Sequence, residues 1–87
     1  MTLDQLNSIP FRKQGHISGK GENITIYYND QYRITINYVT KVKKNGDFGK
    51  TKKYYCYKNK WYSKVEKFLE EIKDVKFINN EQKYEAF

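Results

Sequence analysis

From Tyr32 to Lys43 the chain alternates with a period of two: Tyr32, Ile34, Ile36, Tyr38, Thr40 and Val42 fall on one side, and Arg33, Thr35, Asn37, Lys41 and Lys43 on the other, with Val39 the exception. Successive side chains of a strand point to opposite faces, so the pattern predicts an antiparallel strand with one dry and one wet face. Such a strand needs neighbours on its edges and a layer over its dry face. The 87 residues hold material for one such core and no second, because a chain of this length buries only roughly 60–65% of its unfolded surface.

The flanking segments supply the neighbours. Ile24, Ile26 and Tyr28 alternate with Thr25 and Tyr27, and Asn29-Asp30 reads as a two-residue turn whose residues tolerate the left-handed conformation. Asn45-Gly46 is a hairpin signal, and Asp47, Phe48 and Gly49 extend the loop before a third strand over Lys50–Tyr57. A lone cysteine is most often a small buried hydrophobe, so Tyr54 and Cys56 are expected inward and Tyr55 and Tyr57 outward. Ser63 followed three residues later by Glu66 is a capping box, and Val65, Phe68, Leu69 and Ile72 recur at the spacing of one apolar helix stripe, which predicts a helix from Ser63 to Lys73.

Thr2 and Gln5 have the same capping spacing, predicting a short helix that Pro10 stops near Ser8. Phe11 to Asn23, with Gly15, Gly19 and Gly21, is a loop or an irregular edge strand. Lys58–Tyr62 is a link, and Val75–Ile78 a fourth short strand or an extended tail strapped on by Phe77. The expected fold is therefore α+β: a single small domain over 1–87, with an antiparallel sheet of three to four strands packed against one C-terminal amphipathic helix. Its parts are a helix and glycine-containing loop (1–23), a β-meander (24–57), the helix (63–73) and a flexible tail (79–87) unless Tyr84 and Phe87 dock. The expected core is Ile24, Ile26, Ile34, Ile36, Tyr38, Cys56, Val65, Phe68, Leu69 and Ile72.

Composition narrows the chemistry. One cysteine allows no intramolecular disulfide, and one histidine with it cannot build a Cys/His zinc site, so neither metal nor cofactor is expected. No apolar run spans a bilayer and no leader pattern opens the chain, which predicts a soluble cytoplasmic, intracellular protein with no membrane partner. The stretch Gly15-His16-Ile17-Ser18-Gly19-Lys20-Gly21 misses the phosphate-loop pattern in both spacing and closing residues. His16 has no nearby carboxylate to orient it, Cys56 in mid-strand is core rather than nucleophile, and the helix carboxylates Glu66, Glu70 and Asp74 form a solvated face. An enzyme is not expected, and no catalytic residue is assigned.

Charge points elsewhere. Nine lysines lie between Lys41 and Lys64 against the single acid Asp47, whereas the remainder of the chain is close to neutral. Lysine protects exposed strand edges, but a cluster of this size is also a surface for phosphate, whose neutralisation releases counterions largely without regard to sequence. The excess of lysine over arginine favours backbone attraction over base reading. Aromatic residues interleave with these lysines, as in single-strand binders that stack bases on a sheet. The candidate nucleic-acid-binding residues are Lys41, Lys43, Lys44, Lys50, Lys52, Lys53, Lys58 and Lys60, with Tyr55, Tyr57 and Trp61 for stacking, although tryptophan before a helix cap also serves as a packing anchor.

Three antiparallel strands and one helix over roughly Ile24 to Lys73 resemble in layout the arm-type DNA-binding domains of tyrosine integrases and the plant AP2 domain, in which the sheet contacts DNA. The Lys-, Asn- and Tyr-rich composition is similar to that of small phage and mobile-element proteins, anti-CRISPR proteins among them. Two functions follow as expectations. The first is non-enzymatic binding of DNA or RNA with low sequence specificity. The alternative is an interaction module that inhibits an acidic or nucleic-acid-handling host protein through the same surface. Lysine along the third strand opposes its pairing with a second copy, and the sequence does not set the oligomeric state.

Overall fold

The computed structural model describes residues 1–78; Tyr84, Phe87 and the expected tail lie outside the described residues. Helix α1 (Leu3–Ser8) leads into strands β1 (Arg12–Gly19), β2 (Glu22–Asn29), β3 (Ile34–Val42), β4 (Phe48–Tyr57) and β5 (Lys60–Tyr62), and helix α2 (Val65–Glu71) follows. The strands form one antiparallel sheet in chain order. There are five strands, not three or four.

Both additional strands depend on tight turns. β1 takes the strand alternative for the 11–23 segment: Lys20-Gly21 connects it to β2, with Gly21 at φ +81°, and a register shift between Lys13 and Gly15 marks a bulge on this edge strand. β5 replaces the expected link. Lys58 and Asn59 both adopt positive φ, +48° and +67°, as a type I′ turn demands, and return the chain along β4.

Register decides which residues share a face. Tyr27, Ile36, Tyr55 and Tyr62 lie opposite one another across β2–β5, and Thr25, Tyr38 and Lys53 form the next row. This face carries the core. The other face has a row of Ile26, Asn37 and Tyr54, a row of Ile24, Val39 and Lys52, and a row of Tyr28, Thr35, Cys56 and Trp61.

Three expectations are thereby corrected. Ile24 and Ile26 are outside the core, Cys56 is buried but on the face away from Ile34 and Ile36, and Tyr55, expected outward, is 7% exposed in the core. Tyr57 also packs against the core. For the β4 residues the cause is a bulge beside the β3–β4 hairpin. Val42 pairs with Phe48 but Thr40 pairs with Thr51, so β4 advances one residue more than β3 and every later β4 side chain changes sides.

The helices close one end of the core face. In α1 the Gln5 amide donates to Thr2 Oγ1 at 3.2 Å and the Thr2 amide donates to Gln5 Oε1 at 2.9 Å, the expected capping box. The helix ends at Ile9, whose ψ of 145° is the extended conformation that a following proline imposes. α2 is shorter than expected: β5 runs to Tyr62, Lys64 is the N-cap and no side chain bonds to the helix start, so the Ser63–Glu66 box does not form. Phe68, 0% exposed, stacks on Tyr55 at 4.9 Å with the rings 14° apart.

Beyond α2 the chain is extended but unpaired with the sheet. Phe77 lies parallel to Tyr32 at 6.4 Å, and the Ile78 amide donates to the Tyr32 hydroxyl at 2.7 Å, so the strap alternative holds. The Met1 ammonium donates to the carbonyls of Ile72, Lys73 and Val75 at 3.0–3.1 Å, which joins the two ends of the described chain. Of these only Ile72, the C-cap of α2, belongs to the helix end; Lys73 and Val75 lie in the turn beyond it. The core comprises Met1, Leu6, Ile9, Tyr32, Ile34, Ile36, Tyr55, Phe68 and Ile72. Among the described residues no helix is long and apolar enough to cross a membrane.

Candidate nucleic-acid interface

The helices pack on the core face, where Phe68 meets Tyr55 and Tyr62. The opposite face carries Ile17, Ile24, Ile26, Tyr28, Val39, Tyr54 and Trp61, a mixed aliphatic and aromatic surface rather than the lysine-rich wet face expected. Trp61 is 53% exposed and Ile17 54%. The β4–β5 turn positions Trp61 opposite Cys56, with its ring 5.5 Å from that of Tyr54 and tilted by 54°. Trp61 is thus a surface ring beside Tyr54, not an anchor for the helix joint.

The basic residues are distributed among both faces and the loops. Lys52 lies opposite Val39 on the open face, Lys41 opposite Glu22, and Arg12 opposite Tyr28. Lys43 and Lys44 sit in the β3–β4 loop, Lys50 beside its bulge, and Lys58 in the β4–β5 turn with its ammonium 5.4 Å from the Tyr57 ring. Lys60 is opposite Tyr57. Lys53 is on the core face, its ammonium 5.9 Å from the Tyr38 ring and 4.8 Å from that of Tyr55. Burial alone would lower its pKa, but hydrogen bonding and proximity to Tyr55, followed by Tyr38, outweigh it and move the value upward.

Of the stacking candidates only Trp61 stands on the open face; Tyr55 is committed to Phe68, and Tyr57 packs against the core. Tyr54 and Tyr28 were missed as surface rings: the bulge, which the residue pattern of β4 does not reveal, brings Tyr54 to the open face, and the even length of the β2–β3 turn places Tyr28 there with Ile24 and Ile26. Arg33 was also missed; it holds φ +56° in the β2–β3 turn.

Two polar groups on the open face are buried. Asn37, 5% exposed, donates through Nδ2 to Cys56 Sγ at 3.3 Å, while its Oδ1 has no hydrogen-bond partner. Burial pushes the Cys56 thiol pKa up, so the sulfur stays protonated at neutral pH. His16 is bonded to Thr25 and Ser18 at 3.1 Å on each ring nitrogen, remote from Cys56 in the sheet register. Among the described residues no group of three or more His, Cys, Asp or Glu is placed to hold a metal ion.

No protein-family model, curated protein or solved structure matches the chain significantly.

Proposed function

We propose that the protein binds nucleic acid without catalysis, using the open face of its sheet. The observation that supports this most is the exposed Trp61 ring beside Tyr54 on a sheet face bordered by Lys52, Lys41 and Arg12. Flat rings on a sheet with cations around them suit unpaired bases, since each base stack contributes roughly 1–3 kcal/mol and lysines attract the intervening phosphates. The flanking loops add Lys43, Lys44 and Lys58. The high proportion of lysine suits backbone attraction and predicts low sequence specificity over most of the contact.

Fluorescence anisotropy with labelled single- and double-stranded DNA and RNA at ~50 and ~200 mM salt tests this reading. Single strands should bind most tightly, with affinity falling steeply as salt rises. Trp61→Ala and Tyr54→Ala should each weaken single-strand binding by roughly 1–3 kcal/mol, while Lys52→Glu should reduce the salt slope by about one or two. Absence of binding at the lower salt would defeat the proposal. The exposed Ile17, beside the half-buried Ile24 and Ile26, would then favour the second reading, an interaction module for an acidic host protein.

A further inference from the structure

Helix α1 is only six residues long, and beside it a slot of about 320 Å³ lies between the helix and the core face of the sheet. That volume is at the lower end of the range of small-molecule sites. Leu6 and Phe11 supply the wall on the α1 side, and Tyr27, Ile36 and Tyr55, one cross-strand row, supply the floor. Tyr38 and Lys53, opposite each other in the next row, line the slot as well.

Three observations give this slot a ligand chemistry. The first is its rings. Tyr27 and Tyr38 stand edge to face, with centroids 5.6 Å apart and planes at 88°, and both are half-buried, so each keeps open surface. A further ring entering this corner meets a face on one side and an edge on the other, the contacts that aromatic pairs prefer; an alkyl chain gains the area without that geometry. The second observation is that Lys53 is the one charged residue in the lining. Its ammonium lies 4.8 Å from the Tyr55 centroid and 5.9 Å from that of Tyr38, so it is held beside the slot. No carboxylate is among the groups that act on it, and it is a full cation at neutral pH. The third is access: Lys53 and the neighbouring lining residue Asn7 are exposed, so a solute reaches the ammonium from water.

We propose that this slot binds a small aromatic monocarboxylate, whose ring seats in the Tyr27–Tyr38 corner and whose carboxylate pairs with Lys53. A single cation in an otherwise uncharged lining selects a single negative charge. A second charge on the ligand would be left unpaired among apolar groups, and an amine would meet a like charge. The slot is on the sheet face opposite Trp61 and Tyr54, so the inference stands apart from the nucleic-acid reading.

The test is proton–nitrogen correlation NMR on the full chain, titrated at constant ionic strength with hydrocinnamate, its neutral amide, phenethylamine and hexanoate. Hydrocinnamate should saturate with a Kd of ~1 mM or tighter, shifting amides of Leu6, Phe11, Tyr27, Tyr38 and Lys53 and leaving Trp61 unmoved. The amide and hexanoate should bind about tenfold more weakly, and phenethylamine more weakly still. Lys53→Met, which keeps the apolar stem, should lower hydrocinnamate affinity about tenfold, to the level of the amide, and leave the amide's own affinity unchanged. Lys52→Met removes the same charge from the opposite face and should change neither. Thermal melts establish that both variants are folded.

Absence of saturable shifts in the slot, or shifts confined to the open face, would overturn the inference. Equal losses in Lys53→Met and Lys52→Met would overturn it too, because the acid would then respond only to the net positive charge of the chain. Hexanoate binding as tightly as hydrocinnamate would overturn the assignment to an aromatic acid. None of these outcomes bears on the binding of oligonucleotides, which Trp61→Ala and Tyr54→Ala test separately.

Discussion

Phe68 and Tyr55 carry the joint between α2 and the sheet, stacked at 4.9 Å and both buried. Truncating Phe68 removes one of these rings and leaves a cavity whose floor is the other. Phe68→Ala should cost roughly 3–5 kcal/mol, close to the whole stability of a domain this small, measured as a displaced urea midpoint or loss of the folded baseline. A midpoint unchanged from wild type would contradict this packing. Cys56 gives a pH-dependent prediction. Its folded pKa is raised above the ordinary 9.0 by burial, so the fold favours the neutral thiol. The stability associated with it is complete below the unfolded thiol's pKa and is lost as pH rises through the folded one. Tyr62, raised by burial and by Glu71, and Lys53, raised by its tyrosine neighbours, act with the same sign at higher pH. The melting temperature should therefore decline above about pH 9, and Cys56→Ala should reduce the first part of that decline. A rise in stability over that window would reverse the assigned sign.

Among the elements, the turns set which side chains meet. An antiparallel pair joined by an even number of residues brings even-numbered positions opposite odd-numbered ones. The two-residue turn expected at Asn29-Asp30 and the observed turn over Asp30–Arg33 are both even, so neither brings Ile24 and Ile26 onto the face of Ile34 and Ile36. That correction was legible in the sequence through loop length alone. The facing of β4 was not: without the bulge between Thr40 and Val42, Ile36 would oppose Tyr54 and Ile34 would oppose Cys56, the inward pair expected from residue type. Whether a strand contains an extra residue depends on packing across its partner, which a local pattern does not contain. The β4–β5 turn supplies a prediction at this scale. Lys58→Asn with Asn59→Gly installs residues suited to two positive φ values and should stabilise the domain by roughly 0.5–1 kcal/mol in denaturant unfolding. Loss of stability would contradict the type I′ assignment.

At the scale of the molecule, the described structure extends 53 × 30 × 20 Å with a radius of gyration of 15.4 Å, above the value of about 12 Å typical of a compact chain of this length. The helices and the strap gather round Ile34, Ile36 and Tyr55, while the Lys20-Gly21 and Lys43–Asp47 hairpin ends project from that core. Opening a hairpin end exposes little apolar surface. Amides of the β3–β4 hairpin end should therefore exchange with solvent before those of Ile34, Ile36 and Tyr55, which should open only with global unfolding. Uniform protection along β3 would contradict this division.

The sequence by itself determined the alternation of β3, the capping box and proline stop of α1, the burial of Phe68 and Ile72 and the concentration of positive charge between Lys41 and Lys64, because each depends on neighbours within a few residues. Only the tertiary structure decided that Tyr55 turns inward and that Tyr54 and Trp61 share the open face. Those outcomes depend on strand register, and a single extra residue in β4 exchanges one set of side chains for the other.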